Sequence, residues 1–111
     1  MSYRHKQLAS GRWFELPFLE QMANIGSEVE RAILWRNRNK QYSIEAIERA
    51  LELIELTIAD AKNIARLREL TRLREALIDS FYADNEFASS DSLWRSYFNA
   101  FGYAVRANMQ K

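Results

Sequence analysis

The chain has 111 residues, of which 48% are hydrophobic and 13% aromatic, and its formal net charge is +1. This length fits one domain, and the hydrophobic content excludes a globally disordered chain. The chain has no cysteine and a single histidine, His5, which argues against disulfides, cysteine nucleophiles, histidine metal cages and Ser–His–Asp triads.

The N-terminal segment is polar and mildly basic. Residues 1–13 lack the apolar stretch of a signal peptide, and no apolar run approaches the ~20 residues that span a bilayer. We therefore expect a cytoplasmic protein in which residues 1–13 form a flexible lead-in and residues 14–111 form the folded domain.

Apolar residues at helical spacing predict that this domain is all-α. Pro17 suits the first turn of a helix, and the apolar residues after it share one side of a helix over 17–37. A second helix follows a polar loop. Ser43 is its expected N-cap, with Tyr42 and Ile47 as the expected hydrophobic staple.

Two further helices are predicted in the second half of the chain. The third is expected to begin at Asp60 or Asn63, and the fourth is expected to begin at Ser90 or Asp91, after a loop over 83–90. Four amphipathic helices joined by short loops are most simply an antiparallel up-down-up-down four-helix bundle.

Two glycines lie inside predicted helices. Gly26 falls in the first helix and Gly102 in the fourth. A glycine costs ~1 kcal/mol relative to alanine in a helix interior. We therefore expect a neighbouring helix or an aromatic ring of the fourth helix to pack against such a glycine.

The charges are arranged in blocks. Residues 31–42 carry a net charge of +4, residues 45–60 of −4, residues 62–74 of +4 and residues 75–91 of −5. The third helix therefore has basic first turns and acidic last turns, the reverse of what its macrodipole favours. Either the antiparallel neighbours compensate these charges, or another subunit or a ligand does so.

Arg74 lies in the middle of the predicted apolar face of the third helix. A buried guanidinium without a partner costs several kcal/mol, so Arg74 should pair with a carboxylate or reach the surface. Glu55 and Glu30 are the candidate partners, and we expect removal of Arg74 to destabilise the fold. The alternative is an arginine at a subunit interface or in an anion-binding groove.

A candidate interface comes from residues that lie off the apolar faces. Trp35 lies beside Arg31 on the polar side of the first helix, and Tyr103 lies similarly on the fourth. Leu53 widens the apolar arc of the second helix, and Leu56 stands apart on the polar side of that helix. A contiguous patch of this kind predicts a homo-oligomer that occludes Trp35, Leu53 and Leu56. Alternatively, Trp35 covers the core as a lid over the loop between the first two helices.

The length and layout of the chain, with the segments ANIGSE over residues 23–28 and RALELIE over residues 49–55, suggest a resemblance. The chain resembles the small bacterial four-helix-bundle proteins of the 23S rRNA intervening-sequence protein and Avd (accessory variability determinant) type. The resemblance implies a ring-shaped homo-oligomer, often a pentamer, that acts by binding. In the Avd case it implies a reverse transcriptase and nucleic acid as partners.

These observations favour a non-enzymatic interaction or scaffold protein that self-associates and needs no cofactor or metal. The alternative is an accessory protein that binds RNA or DNA through an arginine-rich surface. This alternative is supported by the arginine content, since 12 of the 16 basic residues are arginine. Arginine suits both phosphate groups and protein interfaces. A different protein partner and an enzyme of unknown type stay open.

Overall fold

The computed structural model describes residues 11–83 and 90–109. Over these residues the chain is helical and contains no strand, which confirms the all-α class. The elements are η1 (Arg12–Glu15), α1 (Phe18–Trp35), α2 (Lys40–Ala59), η2 (Ala61–Arg66), α3 (Leu67–Tyr82) and α4 (Asp91–Met109), where η denotes a 3-10 helix. Across the described ranges, no helix is both long and apolar enough to cross a membrane.

The start of α2 differs from the expectation. The side chain of Asn39 accepts a hydrogen bond from the Tyr42 amide at 3.2 Å, so Asn39 is the N-cap. Ser43 lies inside the helix, where its Oγ donates to the Ala32 carbonyl oxygen at 2.7 Å. The predicted Ser43 cap and Tyr42–Ile47 staple were therefore wrong, because asparagine offers an equally good cap one turn earlier.

The other two helix starts were closer to the prediction. Asp60 caps η2, since its side chain accepts from the Lys62 amide at 3.2 Å, and α3 follows only at Leu67. Ser90 caps α4 by accepting the Leu93 amide at 3.2 Å. Most of the loop predicted between these helices, residues 84–89, lies outside the described residues.

The folded part of the chain begins earlier than predicted. Residues 1–10 of the expected lead-in lie outside the described residues, but η1 starts directly after Gly11. Gly11 has a φ of 127°, a conformation that favours glycine. Trp13 follows it and is only 1% exposed. The domain therefore includes residues that we had assigned to the flexible lead-in.

The core is centred on α1 and α2. The helix α1 packs against α2 and α4, and α2 also packs against α3, η1 and η2, whereas α3 and α4 approach each other at few points. The largest fully buried apolar side chains are Trp13, Met22, Ile25, Val29, Ile47, Ile54, Leu70 and Leu77. Because neighbours cover α2 on several sides, this helix buries a wider arc than an ordinary amphipathic stripe.

The contact between α1 and α4 is tight at Gly26. A Cβ atom on Gly26 would lie 2.8 Å from the Cβ atom of Phe98, so only glycine fits there without movement. This confirms that a residue of the fourth helix packs against Gly26. The same expectation was wrong for Gly102. A Cβ atom on Gly102 would meet only the Nη1 atom at the flexible end of the Arg106 side chain, at 3.4 Å.

Candidate functional site

Two residues of the predicted interface patch are in the core of the chain itself. Leu53 is 3% and Leu56 is 4% exposed. The prediction that Leu53, beside the apolar arc, and Leu56, on the polar side of the helix, belong to an exposed patch is therefore wrong. The reason is tertiary: α2 is covered by α1, α3 and both 3-10 helices, so these side chains are buried without a second copy.

The other predicted interface residues lie on different helices. Trp35, at the end of α1, is 38% exposed, and its ring meets the Tyr42 ring edge-on at a centroid distance of 5.3 Å. This contact crosses the loop between α1 and α2, as in the alternative in which Trp35 acts as a lid. Tyr103 on α4 is 70% exposed. The structure thus does not join the predicted residues into one patch.

Arg31, also predicted at the interface, belongs to an ion-pair group inside the chain. Its Nη1 atom donates to Oε1 of Glu28 at 2.6 Å, and Nε of Arg49 donates to Oε2 of Glu28 at 3.0 Å. Glu28 is only 8% exposed. The two arginines therefore satisfy a nearly buried carboxylate, and Arg49 ties α2 to α1.

Arg74 pairs with Glu55, one of the two predicted partners, at an Nη2–Oε1 distance of 3.3 Å. The predicted burial was wrong, because the Arg74 side chain is 40% exposed and that of Glu55 is 30% exposed. Leu73 occupies the core position, and Arg74 lies on the flank of α3 next to α2. A pair exposed to this degree stabilises the fold by at most about 1 kcal/mol.

Glu30, the other predicted partner of Arg74, pairs with α4 instead. Its carboxylate accepts a bidentate pair of hydrogen bonds from Arg95, at 2.9 Å from Nε and 2.9 Å from Nη2. This pair connects α1 with α4 close to the contact between Gly26 and Phe98. No buried network joins Arg74, Glu55 and Glu30.

A buried polar network does exist elsewhere, and we call it the polar junction: Trp13, Gln21, Thr57, Asp60 and Asn63. The indole Nε1 of Trp13 donates to Oγ1 of Thr57 at 2.9 Å, and that hydroxyl donates to the Leu53 carbonyl oxygen at 2.7 Å. The amide nitrogen of Gln21 donates to the Trp13 carbonyl oxygen at 3.1 Å. These bonds hold η1 against α1 and α2.

The remaining bonds of the polar junction hold η2. Nε2 of Gln21 also donates to Oδ2 of Asp60 at 2.9 Å. Nδ2 of Asn63 donates to Oε1 of Gln21 at 2.9 Å and to the Thr57 carbonyl oxygen at 3.0 Å. Lys62 donates to the Asp60 carboxylate and to the Phe14 carbonyl oxygen. The end of α2 and both 3-10 helices are thereby linked through buried side chains.

Asp60 carries the charge of the polar junction. Burial by itself would raise the pKa of Asp60, but the hydrogen bonds from Lys62 and Gln21 outweigh it and hold the pKa below its usual value. Sequence reasoning identified Asp60 and Asn63 only as helix-start signals. Gln21 and Thr57, polar residues at apolar helix positions, were the signal that could have revealed the junction.

A concavity lies between α3 and α4, and we call it the α3–α4 groove. Its volume is about 570 Å³. Arginines on one side and aromatic rings on the other dominate its wall. The lining residues are Ala65, Arg66, Arg68, Glu69, Arg72, Leu73, Ala76, Trp94 and Tyr97. The groove exists because α3 packs against α2, and α4 against α1, with few close approaches between α3 and α4 themselves.

Several polar groups of the α3–α4 groove lack partners. The Tyr97 hydroxyl is buried, and no described residue hydrogen-bonds with it. Burial raises the pKa of Tyr97 to about 12, with a further contribution from Glu69. Arg66 lies over the ring of Phe18 at 4.7 Å, but Arg68 and Arg72 have no ion-pair partner within residues 11–83 and 90–109.

The described part of the chain holds no group of three or more His, Cys, Asp or Glu side chains placed to bind a metal ion. The arginines and rings of the α3–α4 groove can bind an anion or a protein surface. Comparison with protein-family models, curated proteins and solved structures found no match to this chain.

Proposed function

We propose that this protein is a helical-bundle interaction protein that self-associates and that acts by binding rather than by catalysis. The observation that carries the proposal is the α3–α4 groove. Its accessible apolar wall comes from Ala65, Ala76 and the half-buried ring of Tyr97, between two helices that approach each other at few points. An open, partly apolar seam in a small helical protein is typical of an interaction site.

We also propose that the four helices form an antiparallel up-down-up-down bundle. Contacts between α1 and α4 support this, because they run in opposite chain directions. Phe18 meets Phe101 at 6.0 Å, Glu30 pairs with Arg95, and Arg36 pairs with Asp91 at 2.9 Å. In such a bundle α3 and α4 are neighbours, so the α3–α4 groove is a bundle seam that another molecule can close.

The self-association is tested by light scattering coupled to size exclusion, from micromolar to sub-millimolar concentration. We expect at least twice the 13.1 kDa chain mass, decreasing on dilution. The measured mass also separates a dimer from the larger ring implied by the resemblance to the Avd type. A mass of one chain over the whole range would contradict the proposal.

Nucleic-acid binding is the second candidate function. It is favoured by Arg68 and Arg72, which have no ion-pair partner among the described residues and line the groove together with Trp94 and Tyr97. Arginines bind phosphates, and aromatic rings stack on bases. A gel shift with single-stranded RNA and DNA, repeated at rising salt, tests this candidate. Phosphate-driven binding must weaken steeply with salt. Absence of any shift at about 50 mM salt would contradict it.

A further inference from the structure

We propose that two copies of the chain pair through their α3 helices, antiparallel about a twofold axis. The basic half of each α3 then faces the acidic half of the other. This inference rests on the proposed self-association and adds its surface, register and stoichiometry. The resulting contact is isologous, and it closes at a dimer.

The pairing surface is a stripe of charges along α3: Arg68, Arg72, Glu75 and Asp79. With about 100° per residue, spacings of four, three and four residues place these side chains within an arc of about 60°. Arg68, Arg72 and Glu75 are exposed, and none has an ion-pair partner among the described residues. Asp79 already takes part in an interaction within its own chain.

The spacing of the stripe is self-complementary. Arg72 and Glu75 are equidistant from the midpoint between Leu73 and Arg74, and Arg68 and Asp79 are equidistant from the same point. A twofold axis through this midpoint therefore places Arg72 opposite Glu75 of the second copy, and Arg68 opposite Asp79 of the second copy. Symmetry repeats each pair, so one register aligns every charge of the stripe with an opposite charge.

The antiparallel arrangement also accounts for the order of charges along α3. Its basic first turns and acidic last turns oppose its own macrodipole. The basic half has no carboxylate partner for Arg68 or Arg72 within the described chain. A second α3 running the other way brings carboxylates to the basic end and arginines to the acidic end.

Apolar contact comes from the rim of the α3–α4 groove, where the partly exposed Ala76 adjoins the stripe. Exposed ion pairs alone contribute little to stability. Arg72 and Ala76 line the groove together with Leu73, Trp94 and Tyr97. On the helical wheel Ala76 lies about 70° from the centre of the stripe, so a second α3 laid along the stripe reaches the rim of the groove at Arg72 and Ala76. Leu73 and Trp94 are already buried within the chain. The small side chain of Ala76 allows the two helices to approach closely.

The same stripe argues against a nucleic-acid strand as the occupant. A phosphate backbone following α3 would contact Arg68 and Arg72 but would then meet Glu75, which has no neutralising partner among the described residues. Glu69 also lies in the groove wall between the arginines. The alternation of sign suits a second copy of the helix, which carries both signs in reverse order.

Charge reversal tests the register. Sedimentation velocity compares the wild-type chain, Arg72→Glu, Glu75→Arg and an equimolar mixture of the two variants. Each variant alone places like charges opposite each other, so we expect the dissociation constant of its homodimer to rise at least ~10-fold. In the mixture, the acidic stripe of one variant faces the basic stripe of the other, and a heterodimer is expected at wild-type affinity. Arg38→Glu, an equal charge change in the loop after α1, should dimerise like the wild type.

The outcomes separate this inference from the proposed function. A wild-type dimer, two weakened variants and a restored mixture support the twofold pairing. A wild-type dimer that Arg72→Glu leaves unchanged overturns the pairing but leaves self-association in place. A wild-type monomer contradicts both. A monomer that binds a labelled single-stranded oligonucleotide, and that loses this binding in Arg72→Glu, overturns the pairing in favour of a nucleic-acid surface.

Discussion

The polar junction and the α3–α4 groove both set polar groups beside the core of this small protein, and they differ in how those groups are satisfied. In the polar junction, the indole of Trp13 and the amides of Gln21 and Asn63 donate to partners in the same chain. In the groove, the Tyr97 hydroxyl is buried without a described partner.

The difference distinguishes a structural site from an interaction site. A buried polar group that lacks a hydrogen bond costs about 1–3 kcal/mol, so a fold normally satisfies such groups internally. The polar junction follows this rule and has nothing left to offer a ligand. The α3–α4 groove departs from it at the buried Tyr97 hydroxyl, and its exposed Arg68 and Arg72, which have no ion-pair partner among the described residues, are available to a second molecule.

The largest effect is expected in the polar junction, at Trp13. Trp13→Ala removes a buried ring and the hydrogen bond to Thr57, and it should lower the free energy of unfolding by about 3–5 kcal/mol. Urea denaturation followed by circular dichroism measures this loss. Phe14→Ala is the matched control, because the neighbouring ring is 38% exposed and should cost much less. Equal losses would show that η1 is not anchored by Trp13.

Substitution of Asp60 tests whether the buried carboxylate charge stabilises the polar junction. Asp60→Asn weakens the hydrogen bonds from Lys62 and Gln21 and should cost about 1.5–3 kcal/mol at neutral pH. Because the folded-state pKa lies below the unfolded value of ~3.9, the stabilisation is complete above that value and is lost as pH falls through the folded-state pKa.

Denaturation at a series of pH values between about 2 and 7 checks this prediction. The wild-type chain should lose more stability on acidification than Asp60→Asn, so the two curves should converge at low pH. Parallel curves for the two proteins would contradict the assigned role of the Asp60 carboxylate.

The two helical glycines allow the effect of an added methyl group to be compared at a tightly packed position, Gly26, and at a loosely packed one, Gly102. Gly26→Ala forces a Cβ atom against Phe98 and should cost about 1–3 kcal/mol through overpacking, partly offset by better helix propensity. Gly102→Ala meets only the end of the Arg106 side chain and should stabilise by up to ~1 kcal/mol. Thermal melts of both variants provide the measurement, and effects of the same sign would contradict this comparison.

The smallest effect is expected in the α3–α4 groove, at Tyr97. Tyr97→Phe removes a hydroxyl that has no described partner, so the free energy of unfolding at neutral pH should stay the same or rise slightly. With a folded-state pKa of about 12 against ~10 in the unfolded chain, the wild type loses stability as pH rises through this interval. Tyr97→Phe has no hydroxyl to ionise here, so it should lose less stability than the wild type over the same pH interval.

Chemical denaturation at about pH 8 and pH 11 compares the two proteins. A clear loss of stability in Tyr97→Phe at pH 8 would show that the hydroxyl is hydrogen-bonded in solution and would contradict the prediction.

Local signals predicted most of the helices, because caps and apolar periodicity act over a few residues. The Ser90 cap follows directly from such a signal. The same reasoning left Glu55 and Glu30 as candidate partners of Arg74, and only the packing of the helices selects Glu55. The start of α2 was missed because Asn39 and Ser43 are both good N-caps and local sequence does not rank them. The burial of Arg74 was overestimated because the apolar stripe of α3 turns toward Leu73 in the folded chain.

The sequence by itself determined that this protein is all-α, because spacing and capping are properties of neighbouring residues. Only the tertiary structure decided which faces are closed. It buried Leu53 and Leu56 within the chain and joined Gln21 to Asp60 across distant segments, and it left the α3–α4 groove open. These outcomes depend on how whole helices pack against each other, and that information does not reside in any single helix.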